Sequence, residues 1–146
     1  MDTVEKIEEK TGLITLAVDI GGSGVKALLL NEKGEPVDER DRIKTPKPAT
    51  PDAVMSVLKE LASRKAHFDR VSVGFPGVIR KGIVYTAVNL HPDWREYDLA
   101  GEFSQMVGKP VRVANDADLQ GMGAVSGDGV ELVMTLGTGI DRKSVV

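Results

Sequence analysis

Hydrophobic and polar positions follow two different periods along this chain, and each change of period marks a new element. Leu13 to Asp19 (LITLAVD) is an almost continuous apolar run, which suits a buried strand. The turn Gly21-Gly22-Ser23-Gly24 follows, and Val25 to Asn31 (VKALLLN) predicts a second strand, closed by a turn at Glu32-Lys33-Gly34. Val37 to Thr45 predicts a third, more exposed strand. The prolines of Thr45 to Pro51 (TPKPATP) exclude a helix interior, because they remove donors and restrict their neighbours. They announce a helix start instead. Thr50 suits the N-cap, Pro51 the first helical position, and Asp52 the positive end of the dipole. Val54, Val57, Leu58 and Leu61 then recur at helical spacing and give one buried face.

The second half of the chain continues the alternation. Val71 to Phe75 predicts a strand ending in Pro76-Gly77, and Arg80-Lys81-Gly82 joins Val78-Ile79 to Ile83-Val84-Tyr85 as a hairpin. Asp98 suits the cap of a helix with Leu99, Phe103, Met106 and Val107 on its apolar face, stopped by Gly108. Val111 to Ala114 predicts a strand, Asp116 to Val125 a short helix, and Glu131 to Leu136 a last strand. The order β-β-β-α-β-(hairpin)-α-β-α-β predicts the α/β class: a mixed sheet flanked by helices on both faces.

Composition narrows the function classes. The 146 residues fit one domain, and 41% apolar with 28% charged residues is ordinary for a globular chain. A net charge of −3 argues against a nucleic-acid surface, which would show a clustered excess of Lys and Arg. No apolar run approaches the ~20 residues needed to cross a bilayer. The opening MDTVEKIEEK lacks the apolar centre of a signal peptide. The absence of Cys excludes disulfides and thiolate metal sites within the chain. The expectation is a soluble cytoplasmic domain that contacts neither nucleic acid nor membrane.

Four motifs carry candidate chemistry. In Asp19-Ile20-Gly21-Gly22-Ser23-Gly24-Val25-Lys26 a carboxylate closes a strand, glycines turn the chain and a Lys opens the next strand. Glycines let backbone amides converge on an anion, and a carboxylate there can hold Mg²⁺ directly or through water. The segment matches neither the Walker A pattern nor GxGxxG, since Ala27 stands where the third Gly belongs; a plain hairpin is the alternative. Gly74-Phe75-Pro76-Gly77 ends a buried strand, where ligands gather in α/β sheets and where ligand-free turns are also common. Asn115-Asp116-Ala117-Asp118 joins a strand to a helix. Asn115 can both donate to and accept from a polar substrate, and Asp116 can take a proton from a hydroxyl, although both residue types are also ordinary caps. Asp118 suits a first-turn dipole partner. Leu136-Gly137-Thr138-Gly139-Ile140 offers a second anion cradle or a simple turn. Taken together the four suit phosphoryl transfer. Loops position donor phosphates, Mg²⁺ offsets their charge, and a carboxylate orients the attacking hydroxyl.

The motifs DIGGSGVK, TPKPATP, GFPGV, TAVNLHPDW, NDADLQG and TLGTGI occur in the order found in the ROK family of sugar kinases, which the chain resembles from about Leu13 to Ile140. TPKPATP and NDAD make it most similar to that family's polyphosphate glucokinase branch. The resemblance implies the N-terminal lobe of an actin-like, ribonuclease-H-like ATPase fold, with phosphoryl transfer from polyphosphate or ATP to the 6-hydroxyl of glucose, assisted by Mg²⁺. It implies that Asp116 is the base and that Asn115 holds the sugar. Gly21, Gly22, Ser23 and Lys26 would form the first phosphate loop, and Gly137, Thr138 and Gly139 would begin the second. Asp19 would support the metal, and Gly77 and Asn89 would line the sugar pocket. Trp94 would be a stacking platform for sugar or a packed anchor.

After Ile140 the family pattern continues into a second lobe, whereas here Asp141-Arg142-Lys143-Ser144-Val145-Val146 follows. With one choice of codons these six residues spell the start of a common sequencing adapter. The expected organisation is an extension at residues 1–12, a lobe at 13–140 and a foreign tail at 141–146. The 146-residue chain alone is then expected to have negligible kinase activity, since this fold closes two lobes on the reactants. The full-length parent is expected to be a homodimer. Competing readings are a family kinase for fructose or an amino sugar, a sugar-responsive repressor, and a non-catalytic sugar-binding module. The repressor needs a helix-turn-helix domain before the first phosphate loop, where about a dozen residues stand.

Overall fold

The computed structural model describes residues 12–87 and 89–116. Strands β1 (Thr15–Ile20) and β2 (Gly24–Leu30) form the antiparallel pair that the glycine turn demands, with Asp19 opposite Lys26. β3 (Asp41–Lys44) lies antiparallel against β2, with Lys26 opposite Arg42 and Gly24 opposite Lys44. β3 is shorter than the expected Val37–Thr45. Pro36 makes an isolated bridge to Leu30, and the Val37 amide donates to the Leu29 carbonyl at 2.9 Å. The Asp38 carboxylate, however, accepts the Leu29 amide at 2.8 Å in place of a ladder carbonyl, and the continuous ladder starts only at Asp41.

Helix α1 (Pro51–Ser63) starts as expected, with the Thr50 hydroxyl accepting the Ala53 amide and Pro51 in the first turn. Val54, Leu58 and Leu61 are buried. The chain returns through β4 (Arg70–Phe75), which inserts beside β1 in parallel. A hairpin of β5 (Ile79–Arg80) and β6 (Ile83–Val84) turns through Lys81 and Gly82, both at positive φ as a two-residue hairpin requires. Two elements escape the periodicity: a single 3₁₀ turn at Pro92–Trp94, and β7 (Tyr97–Asp98), which completes a small three-stranded sheet with β5 and β6. Helix α2 (Leu99–Val107) is capped by Asp98 and stopped by Gly108 in the left-handed conformation. β8 (Val111–Asn115) then pairs in parallel with β4.

The main sheet therefore runs β3-β2-β1-β4-β8. One face carries Leu16, Val18, Ile20, Val25, Ala27, Leu29, Val71, Val73, Phe75 and Val113 into the core. The two described helices lie side by side on that same face, and the helix expected from Asp116 onward lies, beyond Asp116, outside the described residues. Trp94 is fully buried there. Its ring packs on Phe75 at 4.9 Å and Tyr97 at 5.3 Å, and its indole N–H donates to the Ala49 carbonyl at 2.8 Å. Trp94 is thus the packed anchor and no sugar platform. It ties the proline-rich segment to the core. The opposite face buries a smaller cluster, Ala17, Leu28 and Leu30, and presents Asp19 and Lys26.

Candidate functional site

Strand direction decides what meets at the rim of the sheet. β1, β4 and β8 are parallel, so their C-terminal ends share one edge, and the register aligns Asp19 with Gly74 and Gly74 with Ala114. Asn115 and Asp116 follow directly at that edge. Gly74 keeps the space between β1 and β8 free of a side chain. Asp19 and Asp116 interact across it: burial first, and then the charge of Asp116, pushes the Asp19 carboxyl up to about 6, while Lys26 pulls the other way. Two carboxylates and one ammonium share a partly buried corner. Such a perturbed group in a cleft is where chemistry is to be sought.

The glycine turn is held from the edge strand. The Gly21 amide donates to the Gly24 carbonyl at 3.0 Å, closing the turn. The buried Thr45 hydroxyl donates to the Gly21 carbonyl at 2.6 Å, and the Thr45 amide to the Ser23 carbonyl at 3.2 Å. Arg42 adds a guanidinium N–H to that same Ser23 carbonyl at 3.1 Å. The carbonyls of Gly21, Ser23 and Gly24 are thus turned into the protein. Among the described residues, Gly22 and Ser23 spend neither amide on a backbone carbonyl. That arrangement leaves amides for an outside anion. Sequence reasoning missed Thr45 and Arg42; their signal was the Arg-Ile-Lys-Thr alternation that ends the edge strand.

The remaining expected residues gather nearby. The Asn115 side-chain amide donates to the Gly77 carbonyl, which fixes which way that amide points. Gly77 is a glycine because a Cβ there would strike the Thr86 carbonyl, so it enters the site through its backbone. Asn89, at positive φ, stands over the turn: a Cβ on Gly22 would lie 3.7 Å from its Cβ. The structure therefore brings Asp19, Gly21, Gly22, Ser23 and Lys26 together with Asn115 and Asp116, and sets Gly77 and Asn89 beside them. Gly137, Thr138 and Gly139, like Asp118, lie outside the described residues. Among the described residues no group of three His, Cys, Asp or Glu side chains could hold a metal, and no helix is long and apolar enough to cross a membrane.

A mixed sheet with a glycine turn between its first two strands, and acids closing its parallel strands, is the actin-like ATPase fold. A model of the ROK family matches residues 15–141, and the chain belongs to that family. It is 32% identical over 133 residues to a polyphosphate glucokinase of Mycobacterium tuberculosis (strain H37Rv), covering 84% of this chain and 49% of that protein. It is 33% identical over 135 residues to an N-acetylmannosamine kinase of Escherichia coli (strain SE11), covering 88% of this chain and 46% of the relative. Among solved structures it resembles the inorganic polyphosphate/ATP-glucomannokinase of Arthrobacter sp. strain KM. There the TM-score is 0.72 at 34% identity, over 81% of this chain and 50% of that one. The chain spans about half the length of the curated relatives it matches.

Proposed function

We propose that residues 13–140 are the N-terminal lobe of a sugar kinase that moves a phosphoryl group from polyphosphate or ATP to the 6-hydroxyl of glucose. The observation that carries this reading is the electrostatic coupling of Asp19 and Asp116 across Gly74, beside a glycine turn whose carbonyls face inward. In the proposed step Asp116 accepts the hydroxyl proton, the freed oxygen attacks the terminal phosphorus, and the bond to the donor chain breaks. Asn115, oriented by Gly77, and Asn89 hold the sugar. The turn amides and Lys26 hold donor phosphates, and residues 137–139 supply the second loop.

Mg²⁺ fits this corner. It is commonly held by one or two carboxylates together with substrate phosphates and water, so a three-ligand cluster is not required. Asp19 is raised by burial and by Asp116, and a nearby cation would favour its ionised form and draw that value back down. When bound, the ion would offset the charge on the donor phosphates; Asp19 would hold it. The kinase reading brings with it a cytoplasmic setting and a homodimeric parent, as the family resemblance implies. The similarity to an N-acetylmannosamine kinase favours one second reading, an amino sugar in place of glucose on the same machinery.

The test is glucose 6-phosphate formation by a chimera in which residues 12–140 replace the matching half of a polyphosphate glucokinase. Sustained turnover is expected with glucose and polyphosphate, and Asp116→Asn should cut kcat by about 10²–10⁴. An active chimera untouched by Asp116→Asn removes the assigned base, and one that prefers amino sugars moves the proposal to the second reading. The 146-residue chain alone is expected to show negligible turnover.

A further inference from the structure

Gly24 is a glycine for an unexpected neighbour. A Cβ built there would lie 2.5 Å from Nε and Nη2 of Arg42, so the guanidinium occupies the space that a side chain at Gly24 would fill. Cross-strand register puts Arg42, Lys26 and Asp19 in one row on the same sheet face, with Lys44 one step nearer the rim opposite Gly24. The acids of this edge sit apart from them: Asp41, of opposite pleat, pairs with Lys65 at 3.1 Å and with Arg64 at 3.8 Å. Among the described residues Arg42 and Lys44 enter no ion pair. One guanidinium N–H is committed to the Ser23 carbonyl, which fixes the plane of the group, and a guanidinium has five such donors.

We propose that Arg42, helped by Lys44, is an anion-binding station for the phosphates of a linear polyphosphate donor that are not transferred. This rests on the phosphoryl-transfer reading above. Arg42 stands two strands from Asp19, on the order of 10 Å at the usual strand spacing, so it meets the donor further along its chain than the reacting phosphorus. A planar fork held in place by a carbonyl is the geometry that grips phosphate oxygens in pairs, which a lysine cannot reproduce.

The experiment titrates long-chain polyphosphate, tripolyphosphate and orthophosphate into the 146-residue chain by calorimetry. Arg42→Gln should weaken long-chain binding about tenfold and orthophosphate less than about twofold, with Arg42→Lys between them. Lys44→Gln, whose side chain makes no described contact with the turn, should cost about two- to threefold on the long chain. Lys33→Gln removes the same charge from the turn at the far end of β2 and should change nothing. Equal effects of Arg42→Gln and Lys33→Gln overturn the proposal. So does an equal loss of all three anions in Arg42→Gln, the mark of a residue that merely braces the turn. Should Arg42→Gln fail to fold, an unchanged long-chain affinity in Lys44→Gln overturns it. A wild-type chain that binds none of them overturns this inference alone, because the chimera decides phosphoryl transfer separately.

Discussion

Two pairs of aspartates in this molecule have opposite fates. Asp38 and Asp41 meet a lysine with only 2% of its side chain exposed: Lys65 Nζ lies 2.8 Å from Asp38, 3.1 Å from Asp41 and 3.0 Å from the Glu39 carbonyl. Its three donors have three acceptors. Asp19 and Asp116 also share a lysine, Lys26, yet there burial and mutual repulsion outweigh it and the Asp19 carboxyl rises to about 6. The first group closes the seam between the β2–β3 segment and the end of α1. The second sets two acids close together in a partly buried corner at the edge of the sheet. A buried cation whose donors all find acceptors ties the fold together, whereas an acid raised by burial and by a neighbouring acid at a strand end marks where chemistry is to be sought.

Substitutions sharpen that contrast. The largest effect is expected from Asp116→Asn in the chimera, a loss of about 10²–10⁴ in kcat with a melting temperature within a few degrees of the parent. Lys65→Met should do the reverse. It takes the ammonium from two carboxylates that are about one-third exposed, leaving Asp41 to Arg64 at 3.8 Å, and should cost about 2–3 kcal/mol in urea unfolding with activity per folded molecule unchanged. A Lys65→Met variant of parental stability would erase the distinction between the two clusters.

Asp19→Asn should stabilise the metal-free chain at neutral pH. In the folded state Asp19 titrates near 6 and in the unfolded state near 3.8, so between these values the folded chain binds the extra proton. The contribution of Asp19 to stability is then greatest below about 4, falls as pH rises toward 6, and stays lower above it. The variant, with no such penalty, should exceed the wild type by about 1–3 kcal/mol at pH 8, and the two should converge near pH 4. Urea titrations at both pH values, in EDTA, measure this. A gap that widens toward acid would invert the assignment.

What could be read from the sequence was what is encoded locally. Thr50-Pro51-Asp52, Asp98 with Gly108, and Lys81-Gly82 each fix a cap or turn within a few residues, and each was found where expected. Asp19, Asn115 and Asp116 were legible because each closes a run of β-forming residues. The parallel register that brings Asp19 to Asp116 depends on partners some 50 to 100 positions away in the chain, so the motif order suggested it but periodicity could not supply it. The Lys65 cluster was invisible for the same reason: it joins residues 24 to 27 positions apart, with no repeating pattern. β3 was overextended because alternation alone cannot reveal that the Asp38 carboxylate replaces a backbone acceptor. β7 is two residues long, too short to have a period.

The smallest effect separates holding a loop from folding it. Thr45→Val keeps the shape of the side chain and removes the hydroxyl that reaches the Gly21 carbonyl at 2.6 Å. The turn retains three other ties: the Gly21 amide to Gly24, the Thr45 amide to Ser23, and Arg42 to Ser23. A buried carbonyl that loses one neutral donor costs about 1 kcal/mol, well below the loss expected at Lys65. The Gly21 peptide, though, is the first in the loop, and its orientation sets where the following amides point. Thr45→Val in the chimera should therefore raise KM for polyphosphate about three- to tenfold with kcat for glucose less affected, and Thr45→Ser, which restores the donor, should recover most of it. Equal KM values in Thr45→Val and the parent would show that the remaining ties suffice and that Thr45 belongs with Lys65 among the residues serving the fold alone.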